Sequence, residues 1–146
     1  MNKLNIGRQV ELPSLFDLRE FEREYEITLP SDFKEFVLSY NAVDLDESIF
    51  FNGKEKYYID VFYPLSKDYD LSLQFVFQNL RDYFQNEFLP FANDSGGWQY
   101  VLSLRVEDYG KIYLCRMDDV PPTALKALAN SFTEFIDGLT SENTMT

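Results

Sequence analysis

Carboxylates are the only side chains in this sequence that gather in groups suited to chemistry. Asp44, Asp46 and Glu47 form one group, Asp68 and Asp70 a second, and Asp118 with Asp119 a third. A carboxylate hydrolase needs two such groups at a fixed separation, one with its pKa raised by burial so that it can donate a proton. These acids sit in polar stretches, where solvated surface charge is the ordinary state of Asp and Glu. Asp94 lies in Asn93-Asp94-Ser95-Gly96-Gly97, just before the lone Trp98. A glycine-rich loop cradles phosphate when it opens a helix and has a lysine nearby. Here an apolar, strand-like run follows, no lysine is close, and Asp94 repels an anion. Asn93 and Asp94 supply too few oxygen ligands for calcium. The stretch reads as a turn between neighbouring strands, with its glycines supplying positive φ.

The chain has no histidine and one cysteine, Cys115. That removes Ser-His-Asp and Cys-His nucleophiles and every His-ligated zinc site. Cys115 falls in an alternating strand without a base partner, so it is expected to be a small packed side chain. With no disulfide possible and no apolar run in Met1-Asn2-Lys3-Leu4, a reducing cytoplasm is the expected compartment. No apolar stretch is long enough for a membrane span. Neither cofactor nor metal is expected, and no catalytic residue is assigned.

Asp and Glu number 25 against 13 Lys and Arg, a net charge of −12. Such a surface repels nucleic acid and anionic lipid, and attracts basic partners.

The elements that position these groups follow from periodicity. The 146 residues suit one domain, and 14 Phe with 10 Tyr favour a sheet packed on helices. Ser14 is placed to cap a first helix carrying Leu15, Leu18, Phe21 and Tyr25 on one stripe. Ser31 is placed to cap a second, with Asp32 and Glu35 in its first turn and Phe33, Phe36, Val37 and Tyr40 on one face. Asn52-Gly53 signals a hairpin between Ile49–Phe51 and a strand from Lys56 to Leu65. In that strand Tyr57, Ile59, Val61 and Tyr63 point one way, and Tyr58, Asp60 and Phe62 the other. Leu71–Phe88 reads as a third helix with the stripe Leu73, Phe77, Leu80 and Phe84. Strands follow at Leu89–Ala92, Tyr100–Arg105 and Lys111–Met117, the last two joined by a turn containing Tyr109-Gly110. Pro121-Pro122-Thr123 then starts a final helix with the stripe Leu125, Leu128, Ala129, Phe132, Ile136 and Leu139. Residues 140–146 are expected to fray. Strands that cluster in hairpins rather than alternate with helices point to an α+β fold, one domain with its core over about residues 14–139.

Three stretches resemble the SUKH superfamily, the Smi/Knr-like proteins. They are "FEREYEITLPSDFKEFVLSYNAV" (Phe21 to Val43), "LPFANDSGGWQYVLSL" (Leu89 to Leu104), and "YGKIYLCRMDD" followed by "ALANSFTEFIDGL". Their order and spacing agree with the family's Leu-Pro helix, Pro-Phe-Ala-x-Asp hairpin, Gly-x-Ile-Tyr strand and terminal aromatic helix. The chain departs from the pattern at three scaffold positions. Glu26 stands for the usual Gly, Ala42 where Asn-Gly is expected, and Trp98 where a small polar residue is frequent.

The resemblance implies an α+β scaffold. It also implies a role common among bacterial members, an immunity protein that binds and blocks a cognate polymorphic toxin, often a nuclease. Fungal relatives are regulatory scaffolds linked to cell-wall control, so a non-toxin interaction module is the alternative, and a carboxylate hydrolase a third reading. Under the first, the partner is a basic toxin domain. Its candidate contacts are Asp44, Asp46, Glu47, Asp68 and Asp70 in the acidic loops, with Asp94 and Trp98 at the hairpin turn. Trp98 reads either as a lid on the core or as a contact anchor.

Overall fold

Ser14 and Asp17 start the first helix reciprocally. The Ser14 hydroxyl accepts the Asp17 N–H at 3.1 Å, and the Asp17 carboxylate accepts the Ser14 N–H at 3.0 Å. This capping box satisfies two donors that a helix start leaves open, and α1 runs from there over Leu15–Tyr25. The structure is a computed structural model and describes residues 4–119 and 123–141. Leu18, Phe21 and Tyr25 are buried as the stripe requires, whereas Leu15, at the helix start, turns out to solvent.

α1 ends on Glu26, which adopts φ +54°, and its N–H is donated to the Arg23 and Glu22 carbonyls. That left-handed position favours glycine, because a Cβ there crowds the backbone. Glu26 is exposed, so little packing is lost on removing its side chain. Glu26→Gly is expected to raise stability by about 0.5–1 kcal/mol, the relief of strain exceeding glycine's entropy cost. A thermal melt checks it, and a lower melting temperature would mean that the glutamate makes a contact of its own.

α2 spans Ser31–Ser39. Pro30 holds the N-cap position and Ser31 is already helical, so the expected Ser31 cap is corrected: no side chain caps this end. Proline's fixed φ enters a helix readily without one. Asp32 sits in the first turn and Glu35 beyond it. The Asp32 carboxylate accepts both the N–H and the hydroxyl of Thr133, each at 2.9 Å, tying α2 to the last helix. Phe33, Phe36 and Val37 are buried.

The Asn52-Gly53 signal gives the hairpin of β1 (Ile49–Asn52) and β2 (Glu55–Tyr58), with Gly53 at φ +67°. The strand expected from Lys56 to Leu65 is corrected, because it breaks in two. The Ile59 N–H bonds back to the Ser48 carbonyl, and the Asp60 N–H to the Asn93 carbonyl. At this step the chain leaves one sheet and enters another as β3 (Val61–Phe62). After the crossing both sides of the chain are covered, so Phe62 is buried as well as Ile59 and Tyr63.

The third helix is also shorter than its stripe. α3 covers Leu73–Leu80, capped by the Ser72 hydroxyl on the Phe75 N–H. Beyond it Gln85 and Asn86 take positive φ, and the Asn86 side chain accepts from Arg81 Nε at 2.9 Å. Phe84 continues the apolar period without helix because it packs with Phe88, Val101, Cys115 and Ala124 in a second, smaller core.

β4 (Phe88–Asn93), β5 (Gln99–Ser103) and β6 (Ile112–Cys115) lie where the apolar runs place them. Their residues alternate between cores: Leu89, Tyr100, Leu102, Ile112 and Leu114 face the main one, and Phe88, Val101 and Cys115 the smaller. The segment after residue 122 departs most from expectation. Leu125–Ala129 is a strand, β7, paired with β6 as Cys115↔Leu125, Leu114↔Lys126, Tyr113↔Ala127 and Ile112↔Ala129. Helical spacing of its apolar residues is outweighed by the backbone groups of β6, which need a partner. Pro121 and Pro122 lie outside the described residues. The helix begins only at α4 (Phe132–Asp137), where the Ser131 hydroxyl accepts the Glu134 N–H at 3.0 Å. Leu139 does not close its stripe but joins Thr140 in β8, paired with β1, so the expected fraying does not extend to Thr140.

The result is an α+β fold with sheets ordered β3-β4-β5-β6-β7 and β2-β1-β8, every strand pair antiparallel. α2 and α4 meet the larger sheet through Phe33, Phe36, Phe91, Phe132 and Phe135, all buried and in ring contact.

Candidate partner-binding surface

The β4–β5 turn is held by its own aspartate. Asp94 Oδ1 accepts the N–H groups of Gly96 and Trp98, each at 2.9 Å, and the Asp94 N–H meets the Trp98 carbonyl at 3.0 Å. Gly97 alone of the two glycines needs positive φ, at +91°. β5, not a helix, follows. Trp98 is half-buried and packed against the main core.

The first acidic loop is a clasp for the chain's beginning. Asp44 accepts the Arg8 N–H at 2.6 Å and Arg8 Nε at 2.7 Å, and Glu47 accepts the Asn5 N–H at 2.8 Å. Bridges Ile6↔Leu45 and Gln9↔Ala42 complete the attachment. A Cβ on Gly7 would stand 2.1 Å from Asp44 Oδ1, so a larger residue there would displace the Asp44 carboxylate from its present position. Asp46, Asp68 and Asp70 are exposed, and no described residue donates a hydrogen bond to their carboxylates. Of the seven residues read as contacts, three therefore present free carboxylates, three spend theirs on the fold, and Trp98 lies against the core.

Asn41 was legible only as part of a motif. It is 1 % exposed at φ +42°, its Nδ2 donates to the Glu11 and Leu65 carbonyls at 2.9 Å, and its Oδ1 accepts the Leu65 N–H at 2.8 Å. One side chain thus joins the initial segment, the end of α2 and the chain after β3.

Asp108 is a heavily bonded carboxylate. It accepts from the Ser103 and Tyr113 hydroxyls and, through two nitrogens, from Arg105, whose guanidinium lies 4.8 Å over the Phe88 ring. Burial alone would raise this carboxyl, but the bonds from Arg105, Ser103 and Tyr113 outweigh it and hold it at about 2. Its folded pKa is below its unfolded one, so its contribution is full above about pH 4 and is lost as pH falls toward 2. Unfolding free energy is expected to drop by on the order of 2 kcal/mol across that window, and Asp108→Asn should flatten that part of the profile. An unchanged profile in the variant would place the acid sensitivity elsewhere.

The carboxyls of Asp17, Glu55 and Asp108 are all held below the usual range, opposite to what a general acid requires. Burial pushes the Cys115 thiol up, away from the reactive thiolate. Among the described residues no three His, Cys, Asp or Glu side chains are grouped to hold a metal ion, and no helix is long and apolar enough to cross a membrane.

A groove between α1 and α3 was not read from the sequence. Leu12, Phe16 and Phe75 line it at 48, 68 and 52 % exposure, over a floor that includes Phe21 and Leu65. Its signal was present: Phe16 and Phe75 are aromatics lying off the stripes of their helices.

The sequence profile of the SMI1/KNR4 family (SUKH-1) matches residues 13–138, a span that takes in every described helix and every strand except β8. The chain belongs to the SMI1/KNR4 family. It is also similar to an SPbeta prophage-derived uncharacterized protein, YokK, of Bacillus subtilis (strain 168). The identity is 26% over 159 aligned positions, covering 95% of this chain and 81% of the relative. SMI1/KNR4 membership is consistent with an immunity-protein role. Two departures from the SUKH pattern now have a structural account. Glu26 takes the left-handed conformation suited to Gly. At the Asn41-Ala42 pair the positive φ falls on Asn41, leaving Ala42 buried with ordinary backbone.

Proposed function

We propose that this protein is an immunity protein that binds a cognate toxin domain and neutralises it without catalysis, by covering the toxin's active site or substrate groove. The observation that carries this reading is the family match over residues 13–138. The net charge of −12 supports a basic partner, and an acidic surface imitates the charge of the nucleic acid that a nuclease-type toxin binds. The toxin acts where this protein meets it, in the cytoplasm. Asp46, Asp68 and Asp70 are the acids we assign to direct contact. Asp44, Glu47 and Asp94 act through the loops they hold, and Trp98 flanks the turn.

The test is association kinetics with the toxin domain encoded beside this gene, across ionic strength. Exposed charges are screened beyond about 8 Å at physiological salt, so the association rate should fall as salt rises. Asp46→Asn, Asp68→Asn and Asp70→Asn should each mainly slow association. Association independent of salt, with all three variants like the parent, would mean that charge does not guide docking.

A further inference from the structure

The groove between α1 and α3 unites two features that a resting surface does not need together. Leu12, Phe16 and Phe75 each expose large apolar area into one groove. Exposed apolar residues scattered singly are ordinary, but a contiguous rimmed patch marks an interaction site. The rim carries five acids, Glu11, Asp17, Glu20, Glu24 and Asp68, against two bases, Arg23 and Lys67. Arg23 and Glu20 are engaged with each other at 2.5 Å and Asp17 closes the α1 capping box, which leaves Glu11, Glu24 and Asp68 against Lys67. The potential over the groove is therefore negative, and three exposed apolar side chains stand among its polar ones.

The shape fits an extended occupant rather than a point contact. Phe16, Glu20 and Glu24 recur at helical spacing along one face of α1, which spans about 12 Å at 1.5 Å per residue. Ser72, Phe75 and Gln78 form the facing wall on the α3 side. Roughly two turns of a partner helix cover that length. A second copy of this chain is disfavoured as occupant, since two acidic rims would face each other.

We propose that this groove docks a basic amphipathic helix of the partner protein, with an apolar side chain seated between Phe16 and Phe75 and Lys or Arg side chains reaching the rim. This rests on the reading of the protein as an immunity protein, and it names the surface and the chemistry of the partner segment. It places the apolar anchor in the groove and leaves the acidic loops to steer approach, with Asp68 common to both.

The experiment has two arms, each run with the parent, Phe16→Ser, Phe75→Ser, their double variant and Val106→Ser as an exposed control. Phe16, Phe75 and Val106 are exposed, and circular dichroism confirms folding. In the first arm the full chain is titrated with a short Leu/Lys amphipathic helical peptide and with its Leu/Glu counterpart. The Leu/Lys peptide should bind, the Leu/Glu peptide should not, and the double variant should bind at least tenfold more weakly. In the second arm the ligand is the toxin domain, and each aromatic substitution should weaken affinity about 30-fold or more. Val106→Ser should change neither.

Peptide binding unaltered by the double variant overturns the groove whatever the toxin does. A toxin that binds parent and groove variants equally overturns the groove and leaves the immunity reading standing. A toxin that does not bind the parent removes the immunity reading, while the peptide arm still decides the groove. Sedimentation showing a dimer that Phe16→Ser dissociates would make the occupant a second copy and overturn the proposal.

Discussion

Phe132→Ala is expected to cost about 3–5 kcal/mol of stability, the range for a truncated core aromatic. Phe132 is fully buried on α4, and its ring centroid lies 5.0 Å from those of Phe33 and Phe36 and 5.3 Å from that of Phe91. The angles to Phe33 and Phe91 are 83° and 79°, so these contacts are edge-to-face and favourable beyond the area they bury. The neighbours come from α2 and β4, which pack on other partners, so the site cannot collapse to fill the space. Phe36→Ala should cost a similar amount. Because the two rings touch, the double variant should lose less than the sum of the single losses. Urea denaturation measures all three. A Phe132→Ala protein that unfolds at the parent's midpoint would show that α4 does not face the sheet through this residue.

Asn41→Ala is expected to be nearly as damaging, on the order of 3 kcal/mol, although it removes only a small polar side chain. Its three hydrogen bonds satisfy the Leu65 N–H, the Leu65 carbonyl and the Glu11 carbonyl. Without them a buried donor is left without a partner, at about 1–3 kcal/mol for such a group. Alanine also tolerates φ +42° less well than asparagine. Asn41→Gly separates the two terms, since it relieves the backbone but still loses the bonds. It should therefore be destabilised, but less than Asn41→Ala. Equal stability of the parent and Asn41→Gly would reduce the residue to a conformational role.

The sequence displayed what is local. The Ser14 cap, the α1 and α2 stripes, the Asn52-Gly53 turn and the Asn93–Gly97 turn each depend on residues a few positions apart, and each stands where it was read, save that Leu15 turns outward and Tyr40 falls half-buried at the end of α2. The failures depend on distant partners. Leu125, Leu128 and Ala129 keep a helical spacing, and the pairing with β6 overrides it. Ile59 and Asp60 continue an alternating run, and only bonds to Ser48 and Asn93 show where it changes sheet. The candidate site was legible in part for the same reason. Asp44 and Asp68 look alike in sequence, yet one closes on Arg8, a residue far back in the chain, while the other remains in solvent. The groove joins residues of α1 and α3, so its aromatics show as surplus on their own helices and as a surface only once folded.

The central claim is neutralisation by stoichiometric binding. The most direct measurement is the activity of the toxin domain that the proposal expects to be encoded beside this gene, titrated with this protein at concentrations well above the Kd. The account predicts a linear fall to background at one equivalent, with activity returning when the complex is dissociated and the toxin recovered intact. Toxin activity undiminished in excess protein would contradict it. So would a loss that continues to completion at substoichiometric protein, the mark of a catalyst rather than a blocking partner.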